Sequence, residues 1–229
     1  MKRSRFLIAV VVTMILLSGT VYIASAQDNA NPLVLPPDLP VQGLTYGEWS
    51  VLWWQSILSI PTSQNPLDGA TGANCIYKRF GDVGLVMVDP LVDQVLTCEV
   101  PAGMMLFLDI LSVECSTLEP PPFYGEGEDA LRTCALSFSL EDLEAAIDGV
   151  DVENLGEYIH ISPPFIITLP EDNILGTESP NLTGKSVSNG AHLILAPLSP
   201  GEHTIHLHAS VPELDFTVDM NFELNVTQQ

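Results

Sequence analysis

Basic residues are scarce. Seven Lys and Arg stand against 29 Asp and Glu in 229 residues, for a formal net charge of −22. No basic face can be assembled from so few cations, which excludes a nucleic-acid partner. An anionic membrane surface would repel the chain for the same reason. Charged residues of both signs make up only 16% against 46% hydrophobic, a balance that excludes intrinsic disorder. No G-x-S-x-G, H-E-x-x-H, P-loop or dinucleotide G-x-G-x-x-G occurs, so the common signatures of hydrolases, zinc peptidases and nucleotide binders are missing. No C-x-x-C pair suggests a zinc site, and no odd cysteine is left over to act as a nucleophile.

One long apolar run is present. Phe6 to Ile23 follows the cations Lys2, Arg3 and Arg5 and precedes Ala24-Ser25-Ala26. This is the layout of an export signal cut after Ala26. The alternative is an uncleaved N-terminal anchor, since about 18 apolar residues just span a bilayer. Membrane association is expected only through that segment. Removal of residues 1–26 leaves Lys78, Arg79, Arg132 and Lys185 as the cations facing 29 acids. Such a surface repels itself at low ionic strength, so salt or Ca²⁺ is expected to stabilise it. Cys75, Cys98, Cys115 and Cys134 form an even set in an exported chain, where disulfides are the default. Of three pairings, the sequential one (Cys75–Cys98 and Cys115–Cys134) is preferred; each bond closes a short loop, valued at about 3 kcal/mol. A secreted, periplasmic or cell-surface location follows.

Three segments are expected: the signal at 1–26, a proline-rich extended lead-in or linker at 27–44, and a single domain at 45–229. Thr45 and Glu48 have the spacing of a capping box. Trp49, Leu52, Trp53, Ser56, Ile57 and Ile60 then trace one helical face, which Pro61 ends. After residue 80 the periodicity becomes two, with runs at Gly84–Val88, Gln94–Glu99, Met105–Val113, Tyr158–Ser162, Phe165–Leu169, His192–Leu195 and Thr204–Val211. Residues 127–135 and 139–149 read as short helices, the second with Ser139 as N-cap and Gly149 as its stop. The strongest signal is DFTVDMNFELNV, where Phe216, Val218, Met220, Phe222, Leu224 and Val226 alternate with polar residues. That alternation means a strand with one buried and one wet face. The expected fold is mainly β: an antiparallel β-sandwich, immunoglobulin-like or jelly-roll, with an N-terminal Trp-rich helix and short helical insertions.

In order along the chain stand YGEWSVLWWQ, IPTSQNPLDGATGANC, TCEVPAG, VECS, Asp148-Gly149, SPPF, LPxxN and LAPLSPGEHTIHL. The series resembles a set of secreted bacterial proteins of unknown function. It covers most of residues 45–226 and implies one domain without implying an activity. PLSPGEHTI is also similar to the lead into the penultimate strand of many immunoglobulin-like sandwiches, a likeness of fold only.

Three features point to chemistry. His206 and His208 sit at i and i+2 of a strand, so both imidazoles point the same way. With Gly201 and Glu213 they resemble the first metal motif of cupins, although the glycine spacing is one residue short and no second motif is found. That resemblance implies a metal-dependent enzyme using His206, His208 and Glu213; an amphipathic strand with both rings in water is the competing expectation. Trp54 falls off the main helical stripe and could serve as a ligand platform. The acidic stretches at 126–129 and 141–153 offer oxygen ligands for Ca²⁺, without an EF-hand or calcium repeat. Taken together, the expectation is an exported, acidic, non-catalytic binding or structural module whose partner is a cell-surface polymer or envelope protein.

Overall fold

The computed structural model describes residues 31, 33–68, 75–91, 95–178 and 181–228. The signal segment 1–26 lies outside the described residues. Among the described residues stand eleven strands and two α-helices: α1 Tyr46–Leu58, β1 Cys75–Phe80, β2 Val83–Val88, β3 Leu96–Pro101, β4 Met105–Ser116, α2 Glu128–Leu136, β5 Glu141–Ile147, β6 Val150–Asp151, β7 Ile159–Ile161, β8 Phe165–Thr168, β9 Thr183–Leu195, β10 Gly201–Val211 and β11 Phe216–Thr227.

The strands form two packed sheets, a β-sandwich. Sheet one runs β1-β2-β4-β9-β7, with β8 also on β9; sheet two runs β3-β11-β10-β5-β6. Most pairs are antiparallel, but β2–β4 and β3–β11 are parallel. For β2–β4 the route of the chain accommodates this. It leaves sheet one after β2, lays β3 in sheet two, and returns for β4, so the crossover of a parallel pair passes through the other sheet. The C-terminal hairpin is as expected: β10 and β11 pair over eleven positions, from Gly201↔Val226 to Val211↔Phe216. Ile205, Leu207, Ala209, Val218, Phe222 and Leu224 are buried on its inner face.

Helix α1 carries the full capping box: Thr45 Oγ accepts from the Glu48 N–H, and Glu48 accepts from the Thr45 N–H at 2.8 Å. It lies against sheet one, whose facing residues are small. Ser50 Oγ is 3.4 Å from Ser188 Oγ, and Ser188 N–H donates to Ser162 Oγ. A Cβ on Gly47 would sit 2.6 Å from the carbonyl oxygen of Ile161 on β7. Alanine in a helix ordinarily gains up to about 1 kcal/mol over glycine. Here the backbone contact reverses the sign, and Gly47→Ala is expected to lower stability by about 1–3 kcal/mol in denaturant unfolding. The lead-in packs on the same sheet: Leu35 N–H donates to Ile194, Ala196 N–H to Leu33, and Val34 and Val41 are buried.

Two local readings change. Residues 139–149 are not a helix. They are β5 followed by a tight turn, with Asp148 (φ 53°) and Gly149 (φ 74°) both left-handed, leading into β6. Asp-Gly is the residue pair such a hairpin turn demands. The helix-forming Glu, Leu and Ala of this segment yield to pairing with β10, which buries Ala145 and Ile147. Strand β9 is 13 residues long, whereas alternation marks only its last four. Its first part, TGKSVSNGA, is polar in composition, yet Ser186, Ser188 and Asn189 are buried.

Both sequential disulfides are formed. Cys75–Cys98 joins β1 to β3, edge strands of different sheets, and Cys115–Cys134 ties β4 to α2. Such bonds fit an oxidising extracellular or periplasmic setting. Among the described residues no helix is long and apolar enough to cross a membrane.

Candidate functional site

Strand β4 outruns its parallel neighbour. Its pairing with β2 stops at Val86↔Leu108, while pairing with β9 continues to Ser116. Among the described strands, none pairs with β4 on the β2 side from Asp109 to Val113. The open edge leaves a groove between α1, β4 and β11. Two adjoining cavities of about 240 and 300 Å³ make up this groove and share Trp54, Leu67, Leu111, Ser112 and Phe216 as lining. A β-bulge at Ile110 kinks β4 where the groove begins, shifting the register between Asp109↔His192 and Leu111↔Ala191.

The three tryptophans divide by function. Trp49 Nε1 donates to the Val41 carbonyl at 3.0 Å and Trp53 Nε1 to that of Val86 at 3.1 Å, so both are fixed core residues. Trp54 stands edge-on to Trp53, lines both cavities, and its buried Nε1–H has no hydrogen-bond partner among the described residues. A buried donor without an acceptor costs about 1–3 kcal/mol.

Carboxyl groups stand at both ends of the groove. Asp109 Oδ2 accepts from Ser112 Oγ at 2.9 Å, while its buried Oδ1 is unsatisfied. Burial raises its pKa from 3.8 to about 7, with the Ser112 hydrogen bond pulling the other way. His192 Nε2 lies 3.3 Å from Asp109 Oδ1 without hydrogen-bond alignment. Its ring is fully buried against Phe107, and burial, then the charge of His160, lowers its pKa from 6.5 to about 3. Gly190 makes room for this group, because a Cβ there would meet both Ser112 and the His192 ring. The order of contacts is Ser–Asp–His. The serine hydroxyl donates to the carboxyl and not to the imidazole, so the histidine cannot draw its proton as a Ser–His–Asp triad does.

At the other end Glu114 accepts from Ser186 Oγ, and Glu119 accepts from Ser116 Oγ at 2.9 Å. Burial pushes the Glu114 carboxyl well up, and the adjoining Glu119 pushes it further. Burial raises Glu119 as well, against hydrogen bonds from Glu114 and Ser116. No Lys or Arg lines either cavity.

The imidazole pair of the C-terminal hairpin lies elsewhere, on the outer face of sheet two. His206 Nε2 is 2.9 Å from Asp219 Oδ1, and His208 is in register with Glu144 and Asp219. Glu213 does not join them: its carboxylate accepts from both the N–H and the hydroxyl of Ser139. Among the described residues no three of His, Cys, Asp and Glu converge as a metal-holding group. His206 and its aspartate are both substantially exposed, and exposed pairs are worth about 0–1 kcal/mol. The double variant His206→Ala, His208→Ala is therefore expected to move unfolding stability by less than about 1 kcal/mol, read by urea titration.

The sequence singled out Trp54 and missed Asp109, Glu114, Glu119 and His192. A signal was available. Asp109 and Glu114 are the two carboxylates inside the otherwise apolar strand MLFLDILSVECS, and a charge in a buried strand needs an explanation. No family model, curated protein or solved structure matches the chain.

Proposed function

We propose that this protein is an exported binding module of the extracellular space or cell envelope, and that the groove along the free edge of β4 is its binding site. The observation carrying this reading is the groove itself: two adjoining cavities walled by Trp54, Leu67, Leu111 and Phe216, with carboxyl groups at both ends. Sites for small ligands are apolar hollows with a few polar groups that fix orientation, and this hollow has that make-up. The disulfides brace the sandwich for life outside the cell, and the acidic surface keeps it soluble and apart from its own copies. Binding, rather than bond-making, agrees with the Ser–Asp–His contact order, which leaves Ser112 inactivated.

The test uses the neutral apolar dye Nile red. A saturable rise in emission is expected on titration into the protein. Leu67→Glu, which puts a charge on the wall common to both cavities, should weaken uptake roughly tenfold or more. No saturable uptake, or equal uptake by the variant, contradicts the reading.

A further inference from the structure

Resting on the groove as the binding site, we infer that its ligand is a small amphiphile with an apolar alkyl or aryl body and a protonated amine, the amine seated at Glu114 and Glu119. Charge complementarity selects this ligand class. Two carboxyls are withdrawn from water in the wall of an apolar cavity; they hydrogen-bond each other and, among the described residues, are otherwise met by serine hydroxyls. Buried carboxylates are normally matched by a cation or a metal. Here none of the neighbouring elements supplies one. Arg132, on the α2 helix that packs against β4, reaches Glu128 at 3.8 Å, and Lys185 on β9 is exposed. Neither lines the groove, and His192 stands at the far end beside Asp109.

Without a cation, burial and mutual repulsion favour a proton shared by the pair over loss of both protons. A ligand ammonium displaces that proton: the N–H groups donate to the carboxylate oxygens and the proton leaves to solvent. Trp54, Leu111 and Phe216 then cover the apolar body. The excess of acids over bases across the whole chain draws a cation toward the protein and repels an anion of the same size.

Calorimetric titration with octylamine, octanol and octanoate, at pH 7 in buffers of different ionisation enthalpy, separates the outcomes. Octylamine is expected to bind roughly tenfold or more tighter than octanol. It should release protons on binding, and octanoate should bind weakest. The double variant Glu114→Gln, Glu119→Gln keeps the shape and an oxygen for Ser186 and Ser116 but carries no charge; it should bring octylamine down to the octanol level and abolish proton release. Octanol binding as well as octylamine, or octanoate binding best, overturns the amine assignment while leaving the groove as a site. Failure of all three to bind overturns both. The comparison of the three ligands on the unaltered protein decides the matter even if the variant does not fold.

Discussion

Asp109→Asn and His192→Gln should tilt the pH dependence of stability in opposite directions. Folding holds a proton on Asp109 that the unfolded chain gives up between pH 3.8 and about 7. On its own, that group makes the protein less stable as pH rises through this window. Folding keeps off His192 a proton that the unfolded chain takes up below 6.5, down to about pH 3. That group alone makes the protein less stable as pH falls through its window. The windows overlap from 3.8 to 6.5, and there the two effects cancel, since the buried pair carries one proton in either state of the chain. Asp109→Asn removes one half and exposes the histidine's acid sensitivity. His192→Gln exposes the aspartate's loss of stability toward neutral pH. Each slope, taken as a difference from the unaltered protein, should approach about 1.4 kcal/mol per pH unit, the limit for one proton. The raised Glu114 and Glu119 are common to all three proteins and drop out of the difference. Urea unfolding at half-unit steps from pH 4 to 7 is the measurement; variants with parallel curves would show that the pair does not compensate.

Loss of the inter-sheet disulfide should be the second large effect. Cys75 and Cys98 are 23 residues apart in sequence and bind edge strands of opposite sheets. The loop-entropy value for a closure of this size is about 3 kcal/mol. Cys75→Ser with Cys98→Ser should therefore lower stability by about 3 kcal/mol, and reductant, which opens both disulfides, should cost the unaltered protein more. Cys115 and Cys134 enclose a loop of similar length, with a separation of 19, but join β4 to a short helix. Unlike the first bond, their loss leaves the clasp between the sheets in place. A loss well below 1 kcal/mol for the Cys75/Cys98 variant would mean that packing alone holds the sheets together.

Much of the fold was legible because the pattern and the environment agree. The hairpin of β10 and β11 has one wet and one dry face, so alternation in Phe216–Val226 reports it directly. The capping box of α1 is a local hydrogen-bond motif and was equally readable. Sheet one is covered on one face by a helix and on the other by sheet two, so its central strands have no wet face to show. That is why β9 was visible only at His192–Leu195, and why its buried serines give no strand signal. Segment 139–149 misled because Glu, Leu and Ala favour a helix locally, while β10 offers a strand partner that no local pattern reveals. Trp54 was identifiable as off-stripe. The groove beside it was not, since it depends on where β2 stops against β4, a fact of register that composition does not encode.

The central claim is that Trp54 faces a ligand groove while its two neighbours are structural. A ¹H–¹⁵N correlation spectrum reports the three indole N–H groups separately. On titration with octylamine, the Trp54 indole resonance should shift saturably, while those of Trp49 and Trp53, held by Val41 and Val86, stay in place. Three indole signals moving together, or none moving, would contradict the account.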